Sequence, residues 1–498
     1  MQDIDEKSTS SLKERTATGL FWSAFGNGAQ LLVTMLVGIA LARILNVEDY
    51  GLVALLTIFT IIASNIQDSG FTSALGVRKN ATSDDFNAVF WFSITVSGIL
   101  YFLLFFAAPL IAAFNHTPQL TLLARVVFVG FFISSLGTAQ AAWLFRNLMV
   151  REKTSSQVLA SIVSGIVGLT AALKGCGCWA LVAMDLTYKF VYVSLLWHHS
   201  QWRPSWHVNF RPVAEMFGFG SKILLTNMLN TLNNQLLQSV LGHFFPLRQV
   251  GYYSQANKWS LLSNGLLSGI ISSVAQPVLA KVGEDSIRQA RVFRKMLRFS
   301  AFIALPLMAG LALISPEFIP LAIGDKWIPC VPYLAILSVS CAFITMNGVF
   351  THLMISCGRS NLFLYTTTTS LLLQALFIVL FARMGEMLPL LMGIAILQPV
   401  WTIVLSLVVR RLISINLHEI LSDIIPFILS TAFTMGVAWG ISLLVFGDNC
   451  GEGWWRLLPM FTKMATAFVV YIVVMQFYHP DVYTEGLEFV KKRFWKKK

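Results

Sequence analysis

The chain is written in long apolar runs separated by short polar turns, and each run is near the length a helix needs to cross a bilayer. About fourteen runs can be read, at 19–42, 50–75, 87–113, 120–145, 156–173, 177–197, 219–241, 252–279, 299–323, 330–356, 361–381, 387–409, 421–446 and 456–478. Two of them break the apolar rule in a regular way. In KILLTNMLNTLNNQLLQ, the residues Lys222, Asn227, Asn230, Asn234 and Gln238 recur every three to five positions, so on a helix they line one side. Two hundred residues earlier, Asn27, Gln30 and Thr34 take the places of Asn227, Asn230 and Asn234. Polar groups at bilayer depth are costly unless they face protein or a water-filled cavity. The pattern predicts membrane helices that share a hydrophilic path.

The same offset appears in the turns. ALARILNVEDYGL (40–52) matches VLGHFFPLRQVGYY (240–253), with Leu41 over Leu241 and Gly51 over Gly251. Phe90 against Phe293 and Pro109 against Pro316 continue the match as the offset grows from 200 to 207. The expected fold is an all-α integral membrane protein of about fourteen transmembrane helices, with two six-helix lobes related by a parallel internal repeat. Residues 1–213 would form the N-lobe and 214–412 the C-lobe; 413–498 would add a helix pair and a basic tail. Substrate would lie between the lobes.

Composition agrees and fixes a direction. Hydrophobic residues make up 56% and charged residues 12%, with 38 Phe, 14 Trp and a mean hydropathy of +0.69. Soluble domains carry roughly 25% charged residues, so this chain lacks the polar surface to stay in water. No cleavable leader pattern precedes the first run, which is therefore expected to insert the protein. The N-terminus, alternate loops and the C-terminal KKRFWKKK collect 25 of the 36 Lys and Arg, against six (Arg43, Lys174, Arg248, Lys326, Arg383, Arg456) in the opposite loops. By the positive-inside rule both termini are cytoplasmic. The net charge of +12 then reflects topology and contact with anionic phospholipids, not nucleic acid. The basic stretch DSIRQARVFRKMLR (285–298) reads as an interfacial helix on that lipid. Loops are short on both faces, which leaves no room for a soluble catalytic domain.

Five basic residues fall inside the runs: Arg125, Lys189, Lys222, Lys258 and Lys463. An intramembrane charge is a functional candidate by default. Lys222 continues the face of Asn227 and Asn230, and it is also near enough to an end to snorkel. Lys258 sits among Gln255, Asn257 and Asn264, while Arg125 is near the outer end of its run. Lys189 follows Asp185 at i+4, the geometry of a structural pair. Asp68 stands in QDSGF, and a buried carboxylate there either locks helices together or takes up H⁺ or Na⁺. Cys176-Gly-Cys178 lacks the second ligand pair of a zinc site, so no metal is expected. His352 reads as a satisfied core histidine.

ALARILNVEDYGLVALLTIFTIIASNIQDSGFTSALGVRK, WLFRNLMVREKTSS, GYYSQANKW, PVLAKVGED and IPLAIGDKWIPCVPYLAIL, in this order, resemble polysaccharide flippases of the colanic-acid and O-antigen type. These belong to the multidrug/oligosaccharidyl-lipid/polysaccharide exporter superfamily. The resemblance implies movement of undecaprenyl-pyrophosphate-linked oligosaccharide across the bacterial inner membrane by alternating access, for surface polysaccharide assembly. It implies no enzymatic turnover and no cofactor, with the polymerase and chain-length proteins of the same assembly as partners. No G-x-x-x-x-G-K-[ST] nucleotide motif occurs. Such cargo needs cations for pyrophosphate and amides for sugar. The substrate cavity would then be lined by Lys222, Lys258, Asn227, Asn230, Asn234, Gln238, Gln255, Asn257, Asn27, Gln30 and Arg125. Asp68, Asp185 and Lys189 are the coupling or structural charges. A cation-coupled multidrug exporter of the same superfamily is the second reading, and a membrane glycosyltransferase or polymerase the third.

Overall fold

The computed structural model describes Trp22, 25–68, Phe71, Leu75, 81–147, 149–206, 209–281, 286–413, 415–447, 453–478 and 483–484, and among these residues every regular element is a helix. In chain order they are α1 (Phe25–Ile44), α2 (Val47–Asp68), α3 (Ser83–Phe114) and α4 (Leu120–Arg146). Then come α5 (Val150–Leu173), α6 (Cys178–His199), α7 (Arg211–Phe244), α8 (Leu247–Lys281) and α9 (Ser286–Ile323). The series ends with α10 (Val331–Ser356), α11 (Ser360–Ala382), α12 (Met387–Ile413), α13 (Leu417–Phe446) and α14 (Leu457–Tyr478). Among the described residues, twelve helices are long and apolar enough to cross a membrane. The twelve omit α7 and α8, which span 34 and 35 residues and carry the densest polar stripes. The protein is therefore an all-helical, multi-pass membrane protein.

The corner α1–α2 and the corner α7–α8 agree residue for residue at an offset of 200. Leu45 N–H donates to the Leu41 carbonyl at 2.8 Å, and Phe245 N–H to the Leu241 carbonyl at 2.8 Å. Leu41 and Leu241 are both buried. Asp49 caps α2 by accepting from the Asn46 N–H at 3.0 Å, while Pro246 stops α7 at the matching place. One short sequence pattern thus makes the same corner twice.

The chain forms two compact units, 1–251 and 252–498, and the division falls one turn into α8. In the first unit a tryptophan cluster fastens the 200–206 segment beneath α3. The Trp202 Nε1–H donates to Ser83 Oγ at 3.0 Å, the Trp91 Nε1–H to the Ser205 carbonyl at 2.8 Å, and the Ser205 N–H to Asn87 Oδ1 at 2.9 Å. On α5, Ala160, Ser164, Gly168 and Ala172 recur every four residues and are buried. A Cβ on Gly168 would crowd the Met184 side chain of α6. Small residues at this spacing let the α5 and α6 backbones approach closely.

In the second unit α9 is the spine. Phe293, Leu297, Ala301, Ala304 and Met308 join its buried core with residues of α8, α10, α12 and α13. Residues 286–298, part of the stretch expected as an interfacial helix, are helical and run on without a break into the rest of α9, one helix of 38 residues. Two of its arginines have protein partners: Arg294 Nε lies 2.6 Å and Arg298 Nε 2.8 Å from the buried Asp423 carboxylate of α13. Toward the other end of α9, Glu317 is fully buried and meets Lys463 of α14 at 2.5 Å. Arg456 pairs with Asp325 just beyond. Charge pairs therefore bind the α13–α14 pair to α9 near both of its ends.

Removing one member of a buried pair strands the other charge, so Glu317→Ala is expected to destabilise the protein by about 3–5 kcal/mol. A Glu317→Leu/Lys463→Leu double variant should recover most of the loss. Thermal unfolding in detergent checks both, and an unchanged midpoint for Glu317→Ala would refute the structural assignment.

Candidate functional site

The structure sorts the intramembrane cations by whether they are paired. Lys189 Nζ lies 2.6 Å from Asp185 Oδ2 on the same helix. Its ammonium rests against Gly130, where a Cβ would come within 2.7 Å. Lys463 is neutralised by Glu317. Arg125 has no carboxylate within ion-pair distance among the described residues; its guanidinium stacks on the Phe105 ring at 4.3 Å and its buried Nε has no partner. Lys258, half-buried on α8, likewise has no acidic or hydrogen-bonding partner among them. Lys258 is eleven residues into α8, about 16 Å along the axis. The side chains of Lys222, Asn227 and Asp68 lie outside the described residues, although their backbones belong to α7 and α2.

The amide stripe divides along α7. Asn230 and Asn234 are exposed, as is Asn27 on α1. Gln30 donates to the Tyr188 hydroxyl at 3.3 Å, and Tyr188 stacks on Tyr192. Nearer its C-terminal end α7 is closed against α2: Gln238 is buried and donates to the Ala54 carbonyl at 3.1 Å. Asn65 of α2 donates to the Thr231 hydroxyl at 2.8 Å. In the second unit Gln255 is 1% exposed with its Nε2 unpartnered, and the Trp259 Nε1–H is likewise buried without an acceptor. Asn257 neighbours Lys258 and is half-buried. Gln255, Lys258 and Trp259 thus place donors without acceptors within about one helical turn of each other.

The sequence reading missed Glu317 and, of a polar seam, all but Asn264 and His352. Glu317 sits in ISPEFIPLA, where prolines and apolar neighbours hide a membrane-depth acid. A polar seam also joins α8 to α10. Ser260 meets Ser338 at 3.3 Å, Thr345 donates to Asn264 and lies 3.4 Å from Ser268, and Ser272 meets His352 Nε2 at 3.1 Å. His352, expected to be satisfied, is bonded on one side, while its buried Nδ1 has no partner. The signal was present: every fourth residue from Ser260 to Ser272 on α8, and every seventh from Ser338 to His352 on α10. On the far side of α10, Thr402 of α12 donates to Asn347 at 2.8 Å.

Each unit offers neutral amides and hydroxyls and, among the described residues, one intramembrane cation without a carboxylate partner: Arg125 in the first and Lys258 in the second. It suits a polar, anionic ligand. Among the described residues no group of three or more His, Cys, Asp or Glu is placed to hold a metal ion.

The chain is similar to known proteins. The chain is 24% identical over 482 residues to the lipopolysaccharide biosynthesis protein WzxC of Escherichia coli, covering 95% of this chain and 96% of that one. It is 23% identical over 440 residues to the teichuronic acid biosynthesis protein TuaB of Bacillus subtilis, covering 87% and 90%. Its fold is shared with the lipid II flippase MurJ in an inward closed conformation, at a TM-score of 0.74 and 12% identity, over 92% of this chain and 99% of that one. Residues 40–332, more than half of the chain, match the family described as polysaccharide biosynthesis protein. The membrane helices, the paired corners and this match together make the chain a member of the polysaccharide biosynthesis protein family.

Proposed function

We propose that the protein is an inner-membrane flippase. It carries an undecaprenyl-pyrophosphate-linked oligosaccharide from the cytoplasmic to the outer leaflet by alternating access, and surface polysaccharide assembly uses the product. The observation that carries this reading is Lys258, deep in α8 and without an acidic partner among the described residues. An ion held at such depth is retained where a counter-charge arrives during function. Pyrophosphate supplies that charge, and Arg125 offers a second cation. Asn27, Asn230 and Asn234 offer amides to the sugar, whose many hydroxyls exchange water for such groups at little cost. The names of the relatives in lipopolysaccharide and teichuronic acid synthesis, and the fold shared with a lipid II flippase, support the same cargo class.

On this reading α7 and α8 also cross the membrane, making fourteen spans, and both termini are cytoplasmic. The corners α1–α2 and α7–α8 then face outward. The lobes that rock are 1–213 and 214–412, with 413–498 carried on the second. Asp68 remains the candidate for H⁺ or Na⁺ coupling. Anionic phospholipid is the partner of the C-terminal lysines, and polymerase and chain-length proteins are the downstream partners. The protein moves its cargo and makes no covalent change to it.

A cation-coupled drug exporter needs an available acid in the cavity. Two of the intramembrane acids, Asp185 and Glu317, are already neutralised by lysines. An anionic cargo fits the remaining charges better.

In proteoliposomes, Lys258→Ala and Arg125→Ala are each expected to lower flipping of a fluorescent lipid-linked oligosaccharide by at least an order of magnitude, with normal insertion. Lys258→Arg should keep more activity than Lys258→Ala. Wild-type rates in the alanine variants would remove these cations from the path. By contrast, the Asp185→Asn/Lys189→Met double variant, which deletes a closed pair, is expected to flip cargo at near the native rate; a loss comparable to that of Lys258→Ala would place this pair in the path too.

A further inference from the structure

The turn between α10 and α11 holds one arginine in a fixed place through its backbone. α10 ends in a glycine cap: the Gly358 N–H donates to the Ile355 carbonyl at 3.0 Å, and the Arg359 N–H to the Met354 carbonyl at 3.0 Å. Gly358 sits at φ +70°, the left-handed conformation that this cap requires and that glycine adopts without strain. The Arg359 carbonyl then accepts from the Leu362 N–H at 3.0 Å and opens α11. Both main-chain groups of Arg359 are thus used, while its side chain is exposed and has no carboxylate partner among the described residues.

A cleft of about 450 Å³ adjoins the turn, lined by Gly358, Arg359, Asn361, Leu362 and Leu412. That is the volume of a small-ligand site. Leu362 and Leu412 pack against the core of the second unit and give the cleft an apolar wall, whereas Arg359 and Asn361 bring it a cation and an amide. The charge is not compensated nearby. Between Val331 and Ile413 the chain has four arginines (Arg359, Arg383, Arg410, Arg411) and one acid, Glu386. Glu386 and Arg383 belong to the far end of α11, whose 23 residues are about 35 Å long. The acids of α13 are already engaged, Glu419 by Arg294 and Asp423 by Arg294 and Arg298.

The cleft also leads onto lipid. From Asn361 the exposed positions of α11 continue as Tyr365, Thr369, Leu372 and Leu376, the spacing of one helix face. In a membrane helix such a face meets acyl chains, and a tyrosine one turn from the end stands at headgroup level. A free anion would use the arginine and leave the stripe idle; a ligand that uses both has an anionic head and an apolar continuation.

We infer that the α10–α11 turn and the end of α12 form a binding site for an anionic phospholipid, with the phosphodiester at Arg359 and Asn361 and the chains along the exposed face of α11. The guanidinium fork suits phosphate oxygens. The C-terminal lysines attract the same lipids by charge alone, but this site holds one by shape and donor placement. It lies within the second unit and is independent of cargo and of the direction of transport.

The test is native mass spectrometry of the full-length protein, released from detergent that contains phosphatidylglycerol and an excess of phosphatidylcholine. The native protein is expected to keep phosphatidylglycerol in preference, and equal uptake of the two lipids would overturn the site. Arg359→Gln and, separately, Asn361→Asp, which sets a carboxylate beside the phosphate, are each expected to lower the adduct severalfold. Both side chains are exposed, so both variants are expected to stay monodisperse. Arg410→Gln removes the same charge from the last turn of α12, from a residue outside the cleft lining, and is expected to bind lipid as the native protein does. Equal loss in Arg359→Gln and Arg410→Gln would leave only diffuse attraction and overturn the site. Added inorganic pyrophosphate is expected to leave the adduct in place; displacement would assign the cleft to a pyrophosphate head and sink the phospholipid. No lipid-linked sugar enters these measurements, so they stand or fall apart from flipping.

Discussion

A charge in the membrane interior has to be neutralised, and the places where this protein does so decide which parts are fixed. Glu317 and Lys463 are nearly inaccessible and 2.5 Å apart, and Asp423 is held by two arginines of α9. Separating either cluster would leave a bare ion in a low-dielectric layer, at a cost of several kcal/mol. The α13–α14 pair is therefore bound to α9 as one body. Lys258 and Arg125 are the complement of this rule. They are intramembrane cations that the described residues leave without a carboxylate. On the proposed function, an anionic cargo would supply the counter-charge they lack.

The polar contacts form a second, weaker class. Interhelical hydrogen bonds in membranes average about 0.6 kcal/mol, because the separated helices find other partners. The seam of Ser260, Asn264, Ser268 and Ser272 against Ser338, Thr345 and His352 is made of such bonds. So is the contact of Asn65 with Thr231 and of Gln238 with Ala54. Each costs little to break. A transporter needs both classes: ion pairs that define rigid bodies, and neutral contacts that let those bodies part. The Asn65–Thr231 and Gln238–Ala54 contacts between α2 and α7 belong to the second class.

Much of the helix inventory was legible because hydropathy and turn chemistry are local. The corners at Asn46 and Pro246 follow from capping and from the missing proline N–H, and the offset of 200 survives in their hydrogen bonds. The Asp185–Lys189 pair could be read from i+4 spacing alone. For 286–298 the sequence did not reveal that the helix runs on through α9, or that Arg294 and Arg298 meet Asp423, over 120 residues away. Gln238 illustrates the same limit within the candidate site. Its place on the polar stripe was evident, whereas its burial against Ala54 depends on a neighbour 184 residues distant.

By itself, then, the amino-acid order determined the membrane helices, their two matching corners and the set of intramembrane polar groups, since each depends on residues within a few turns of one another. Tertiary structure alone decided which of those groups are spent on stability. Lys463 is neutralised because packing brings Glu317 to it across 146 residues, whereas among the described residues packing brings Lys258 no acid. A sequence lists the charges; only the arrangement of helices in space gives each one its counter-charge or withholds it.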